Sequence, residues 1–255
     1  MYTKLMKNTI VLFLVVATIT SLSTRMAHAA TSYFLHIDVS TDTYAPYHYT
    51  QYAKTLPIEG SVITFAANLF QVTETTIKKQ KVSQYQILEP SLYQYTWYIN
   101  ERLLQEGNGD SVFKYTIPRG VRLGGISMAV EVRNKDNTLV AQKKIIVPTK
   151  NNPEIYLYPF INDKLIPVST DTITGVRSQT MKIVALPYFF NVFDPLQLSF
   201  LWYEGRKKLP TESYQNGLFE ITLPPYPAQD NFKSVVYNTY FDLELAQKNF
   251  KVISK

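Results

Sequence analysis

The chain has 255 residues, no cysteine, and a formal charge of +6 with a pI near 9.2. Lys4, Lys7 and Arg25 fall in the first 29 residues, which hold no acid, so the remaining 226 carry only +3. A charge that small over that length excludes a nucleic-acid footprint, and the missing thiols exclude a disulfide framework and cysteine chemistry.

In chain order, the first predicted element is an export signal over residues 1–29. Lys4 and Lys7 form a positive head, Ile10–Ala17 is an unbroken apolar run, and Ala27-His28-Ala29 is a small-residue cleavage site. The alternative is a retained membrane anchor. Against it, the apolar run is shorter than the ~20 residues of a spanning helix, and Thr18, Thr20, Ser21 and Ser23 interrupt its end. Contact with a membrane is expected only if the signal is retained. The protein is therefore expected outside the cell or on its surface.

Tyr44, Tyr47, Tyr49 and Tyr52 crowd into one short segment. A tyrosine offers a flat apolar ring and a polar tip, which suits recognition of a protein or a sugar. The other reading is a proline-bounded turn whose rings pack over a sheet edge. Ser61–Phe70 reads as a core strand, and the polar stretch Val72–Gln84, with Lys78, Lys79 and Lys81, reads as a long loop or insertion. Next, Tyr93, Tyr95, Trp97 and Ile99 alternate with Gln94, Thr96, Tyr98 and Asn100, the period of a half-buried strand. Asn108-Gly109 suits a tight hairpin. Ile126, Met128, Val130 and Val132 alternate again. Residues 148–153 (PTKNNP) break the pattern and read as a linker. Beyond it, Met181–Phe190 repeats the early core strand, and Leu198, Phe200 and Trp202 alternate with Ser199, Leu201 and Tyr203. The cationic run Arg206-Lys207-Lys208 follows and reads as a solvated turn.

The two halves repeat each other. Glu89-Pro90, Trp97 and Ala141-Gln142-Lys143 recur as Asp194-Pro195, Trp202 and Ala246-Gln247-Lys248, each 105 residues later. Phe113–Pro118 recurs as Phe219–Pro224 at an offset of 106. A period of that size marks a duplicated domain. The predicted fold is all-β: two tandem immunoglobulin-like β-sandwich domains, 30–149 and 150–255, after an N-terminal signal helix. A tryptophan in a mid-domain strand is the core signature of such a sandwich. With no disulfide, Trp97 and Trp202 are expected to fill each core by bulk, burying about 150–250 Å² apiece.

Several segments carry a family resemblance. They are Asp42–Tyr49 (DTYAPYHY), Leu56-Pro57, Tyr95–Asn100 (YTWYIN), Gly107-Asn108-Gly109 with the Phe113 strand, and Asn152–Tyr158 (NPEIYLY). Together they resemble the secreted tandem Ig-like, PKD-like proteins of very small bacteria with reduced genomes. Where such proteins turn with Lys-Gly after Tyr49, this chain has Thr50-Gln51. The resemblance implies fold and surface location and brings no catalytic residue with it.

Chemistry-bearing patterns are sparse. His36, Asp38, Asp42 and His48 match no ligand spacing for a metal, and His36 sits opposite Leu35, Ile37 and Val39 in an alternating run, facing out. The sequence has no GxSxG elbow and no phosphate-binding glycine loop. Its acids, such as Asp110, Asp136, Asp163 and Asp194, mostly fall at turns. No catalytic residue, metal or cofactor is expected. The leading expectation is a non-enzymatic surface protein with a structural, adhesive or protein-interaction role. A carbohydrate-binding module for an envelope glycan, using exposed tyrosines, is the second; a hydrolase with two facing carboxylates is the third.

Overall fold

The structure is a computed structural model, and it describes residues 30–50, 55–77, 80–120, 124–161, 164–166, 168–210 and 217–255. The signal segment with Ala27 and Ala29, together with Tyr52, Lys78, Lys79, Asp163 and Asn216, lies outside the described residues.

In the first half the strands are β1 (Ala30–Thr41), β2 (Val62–Ile77), β3 (Gln80–Ile87), β4 (Gln94–Ile99), β5 (Arg102–Asn108), β6 (Val112–Thr116), β7 (Ile126–Arg133) and β8 (Leu139–Val147). One sheet runs β1-β2-β3, with β6 also paired to β2; the other runs β5-β4-β7-β8. In the second half come β9 (Glu154–Ile161), β10 (Lys164–Leu165), β11 (Thr172–Gly175), β12 (Thr180–Tyr188), β13 (Leu198–Glu204), β14 (Lys207–Lys208), β15 (Leu218–Thr222), β16 (Ala228–Asn238) and β17 (Phe241–Ser254). Its sheets run β10-β9-β12-β15 and β11-β17-β16-β13-β14. The chain passes from one sheet to the other after β3, β5 and β6 in the first half, and after β10, β11, β12, β14 and β15 in the second, as in an immunoglobulin-like sandwich. The chain is thus two tandem Ig-like domains, joined through residues 148–153.

The duplication is visible in the pairing register. Tyr98 faces Leu103, and Tyr203 faces Lys208. Val132 faces Ala141, and Val236 faces Ala246, so the two Ala-Gln-Lys triplets hold equivalent ladder positions. Each Glu/Asp-Pro pair opens a short 3-10 turn, Pro90–Leu92 or Pro195–Gln197, with proline at the first helical position. The copies differ at their edges. In the second domain β11 crosses over to pair parallel with β17, whereas β1 stays with β2 along its whole length.

Each domain closes around its own indole. Trp97 is 0% exposed, stacked on Phe113 at 5.6 Å between centroids. Trp202 is 1% exposed, stacked on Phe219 at 4.7 Å. The Trp97 indole N–H donates to the Asp110 carbonyl at 2.7 Å, which satisfies its one polar group inside the core.

Two local expectations differ from the structure. Val72–Ile77 and Gln80–Gln84 pair antiparallel as a β-ribbon, the outer part of β2 against β3, and not as loop. Every residue of β3 is exposed, so no buried face imposes an apolar alternation on the sequence. Asn108-Gly109 carries the chain from one sheet to the other and does not close a hairpin, since β5 pairs with β4 and β6 with β2. The tight turn is instead Asn100-Glu101, at φ 48° and 68°, between β4 and β5. Positive φ at both positions suits the right-handed twist of the strands it joins.

Candidate binding cleft

The tyrosine-rich segment lies in the joint between the domains. The Tyr44 backbone makes two hydrogen bonds across it: its N–H donates to Phe190 O at 2.7 Å, and its carbonyl accepts from Phe189 N at 2.6 Å. Its ring packs against the second core. Tyr49 meets Tyr188 and Phe189 edge-on, at 5.4 and 5.8 Å. Ala45, Ile58, Tyr188 and Phe189 form a third hydrophobic cluster, with Leu56, Tyr156 and Leu186 against it. Tyr47 stands 78% exposed on a four-residue helical turn, Tyr47–Thr50. Of the candidate tyrosines, Tyr44 and Tyr49 are therefore brought together in the joint, and Tyr47 projects from it into solvent.

Beside this cluster opens a cleft of about 360 Å³, lined by Tyr49, Lys150, Glu154, Tyr156, Tyr158 and Tyr188, among others. Strand β9 supplies Glu154, Tyr156 and Tyr158, β12 supplies Tyr188, and the inter-domain connection supplies Lys150. Tyr156 meets Tyr188 edge-on at 5.1 Å. The Tyr158 and Tyr188 hydroxyls share a hydrogen bond of 3.1 Å. Glu154 accepts from Lys150 Nζ at 2.7 Å and from the Tyr156 hydroxyl at 2.9 Å. Burial, and then the hydrogen bond to the Glu154 carboxylate, push the Tyr156 phenol up to about 12. Burial raises Tyr188 further, and its bond to Tyr158 adds to the effect. Both phenols stay neutral at any physiological pH, so they offer hydrogen bonds and ring faces and supply no phenolate nucleophile.

A second groove, about 420 Å³, runs along Val39, Thr41, Ile63, Ile145 and Val147. It is nearly all apolar. Ligand sites combine apolar walls with a few convergent polar groups, which favours the tyrosine cleft.

The sequence reading missed Tyr156, Tyr158 and Tyr188, though a signal was there: Ile155-Tyr156-Leu157-Tyr158 follows directly on the linker. Among the possible metal-binding residues, His36 is exposed with Nε2 3.2 Å from Asp38 Oδ1. Asp42 accepts from Val62 N at 2.8 Å. Among the described residues no three such side chains gather as a metal site would need. Arg206, Lys207 and Lys208 lie exposed at the β13–β14 turn.

No protein-family model matches the sequence, and no curated protein matches it. Solved structures that resemble it include the fibronectin(III)-like modules of Clostridium thermocellum CbhA, at 12% identity over 87% of this chain and 94% of that one, TM-score 0.28. The ectodomain of mouse nectin-like molecule 4 (Ig1–Ig3) is 12% identical over 89% of this chain and 65% of that one, TM-score 0.32. The Bacteroides ovatus glucan-utilization protein SGBP-B, solved with a mixed-linkage heptasaccharide, is 12% identical over 86% of this chain and 47% of that one, TM-score 0.24. The Ig-like assignment rests on the strand order and paired registers of this chain itself.

Proposed function

We propose that this chain is a non-enzymatic interaction protein, exported by its N-terminal leader and working at the cell surface in a structural, adhesive or protein-binding role. The observation that carries the reading is the joint. A third hydrophobic cluster holds two sandwiches in one orientation and leaves a cleft walled by neutral tyrosines. Such a surface recognises without reacting: rings for apolar contact, phenols and the Lys150–Glu154 pair for orientation. Fractionation of native cells with N-terminal sequencing tests the export. The expected result is a protein in the envelope or the medium that begins at Ala30; an intact leader in the cytoplasm would overturn it.

The cleft favours one second reading, a glycan ligand, because sugar rings stack on aromatic faces while their hydroxyls need fixed donors and acceptors. Immobilised envelope glycans and intact envelope fragments are the probes. Specific retention that falls about tenfold or more on Tyr156→Ala, and is spared by Tyr47→Ala, supports glycan capture in the cleft. Retention indifferent to Tyr156→Ala, or none at all, removes it.

A further inference from the structure

The β-ribbon formed by β1, β2 and β3 ends in an unprotected edge. Leu88 N donates to Leu69 O at 2.9 Å, and the register sets Phe70 opposite Ile87 and Val72 opposite Tyr85. Backbone direction alternates along an antiparallel strand. Val82, Gln84 and Gln86 therefore turn their N–H and C=O towards β2, and Lys81, Ser83, Tyr85 and Ile87 turn theirs to the free side. Among the described residues no strand pairs there. The same four side chains share one face of the ribbon with Phe34, Phe70 and Glu74, and with Val72, which is buried there. Tyr85 is 69% exposed and Ile87 66%.

Proteins usually guard such an edge with charges, proline, a bulge or shortness. β5 has a bulge in its ladder, β8 carries Lys143 and Lys144 and runs into Pro148, and β14 is two residues long. β3 has eight residues, one charged side chain, no proline and no bulge. Only another extended backbone complements a row of alternating N–H and C=O groups, so the occupant is a polypeptide strand.

We propose that the occupant is β3 of a second copy, paired antiparallel about a two-fold axis normal to the sheet. Such an axis preserves the faces and brings outward-turned residues opposite outward-turned residues. One register sets Ser83 opposite the partner's Ser83 and Tyr85 opposite the partner's Lys81. Lys81, which makes an exposed ion pair with Glu74 at 3.6 Å, then lies by the partner's tyrosine ring, twice by symmetry. No like charges are opposed. The corresponding faces join into one surface across six strands, and the contact is isologous, so it closes at a dimer. This association is separate from ligand capture in the cleft, which lies on other strands.

Sedimentation equilibrium of the full chain, with backbone hydrogen exchange at several concentrations, tests the pairing. A reversible dimer is expected, with the Ser83 and Tyr85 amides slowing as concentration rises while those of β5 do not change. Ser83→Pro removes an outward N–H and leaves the inward ladder to β2 in place; it is expected to raise the dissociation constant about tenfold or more. Should that variant misfold, the exchange pattern of the wild type decides. A chain that stays monomeric up to about 1 mM, a dimer that shows no slowing at Ser83 and Tyr85, or a dimer that a folded Ser83→Pro forms equally well would overturn the proposal.

Discussion

At the scale of single residues, stability concentrates in a few buried aromatic groups. Trp97 and Trp202 each stack on a phenylalanine in a core that has no disulfide to share the burden. Truncation leaves a cavity that rigid sheets close poorly, so Trp97→Ala and Trp202→Ala are each expected to cost about 3–5 kcal/mol in thermal or denaturant unfolding. Tyr95 shows the opposite logic. Its ring is fully buried, its hydroxyl has no hydrogen-bond partner among the described residues, and burial pushes its phenol up to about 12. A buried hydroxyl without a partner is a desolvation cost with no return. Tyr95→Phe should therefore leave stability unchanged or raise it by about 1 kcal/mol; a clear fall in melting temperature would show that the hydroxyl is bonded in solution.

At the scale of elements, the equivalent glycines of the two copies differ in what they tolerate. Gly109 and Gly217 follow the equivalent Asn residues, at φ 76° and 78°. A Cβ on Gly217 would come within 2.5 Å of Ala185 O and 2.9 Å of a Phe200 ring carbon, whereas on Gly109 its nearest neighbour is Ser91 Cα at 3.4 Å. Gly217→Ala thus combines left-handed strain with overpacking and should cost about 2–4 kcal/mol, against about 1–2 kcal/mol for Gly109→Ala. Equilibrium unfolding of the two variants side by side checks the difference. Strands with one buried face are legible in the sequence, because alternation writes burial into the residue order: β4, β7 and β13 are examples. The β2–β3 ribbon was not legible. Val72, Thr73, Thr75 and Val82 carry β propensity, yet β3 buries neither face, so the period that marks a strand is missing.

At the scale of the whole molecule, the joint makes two domains act together. Asn191 Nδ2 donates to Glu59 O at 2.9 Å, and the Arg119 guanidinium of the first domain sits 4.5 Å over the Phe241 ring of the second. Behind them Glu244 is buried, accepting from Asn191 N and, at 3.0 Å, from Asn238 Nδ2. Burial raises its carboxyl above the usual glutamate range, and the Asn191 and Asn238 hydrogen bonds and the Arg119 charge only partly restrain the rise. The folded chain therefore holds this proton more tightly than the unfolded one. The group's contribution to stability is full below the ordinary glutamate pKa and is lost as pH rises through the raised one. Relative to Glu244→Gln, the wild type should gain melting temperature as pH falls from 7 towards 5; a pH-independent difference would show that Glu244 stays ionised throughout. Sequence alone determined the class, the duplication and the candidate core indoles, because β periodicity, turn chemistry and self-similarity are local and need no partner. Only the tertiary structure decided that the tyrosine segment belongs to a joint and that Tyr156, Tyr158 and Tyr188 face it. Those residues lie more than a hundred positions from Tyr44 and Tyr49, and which side chains meet across two packed domains depends on relative orientation, which no local pattern encodes.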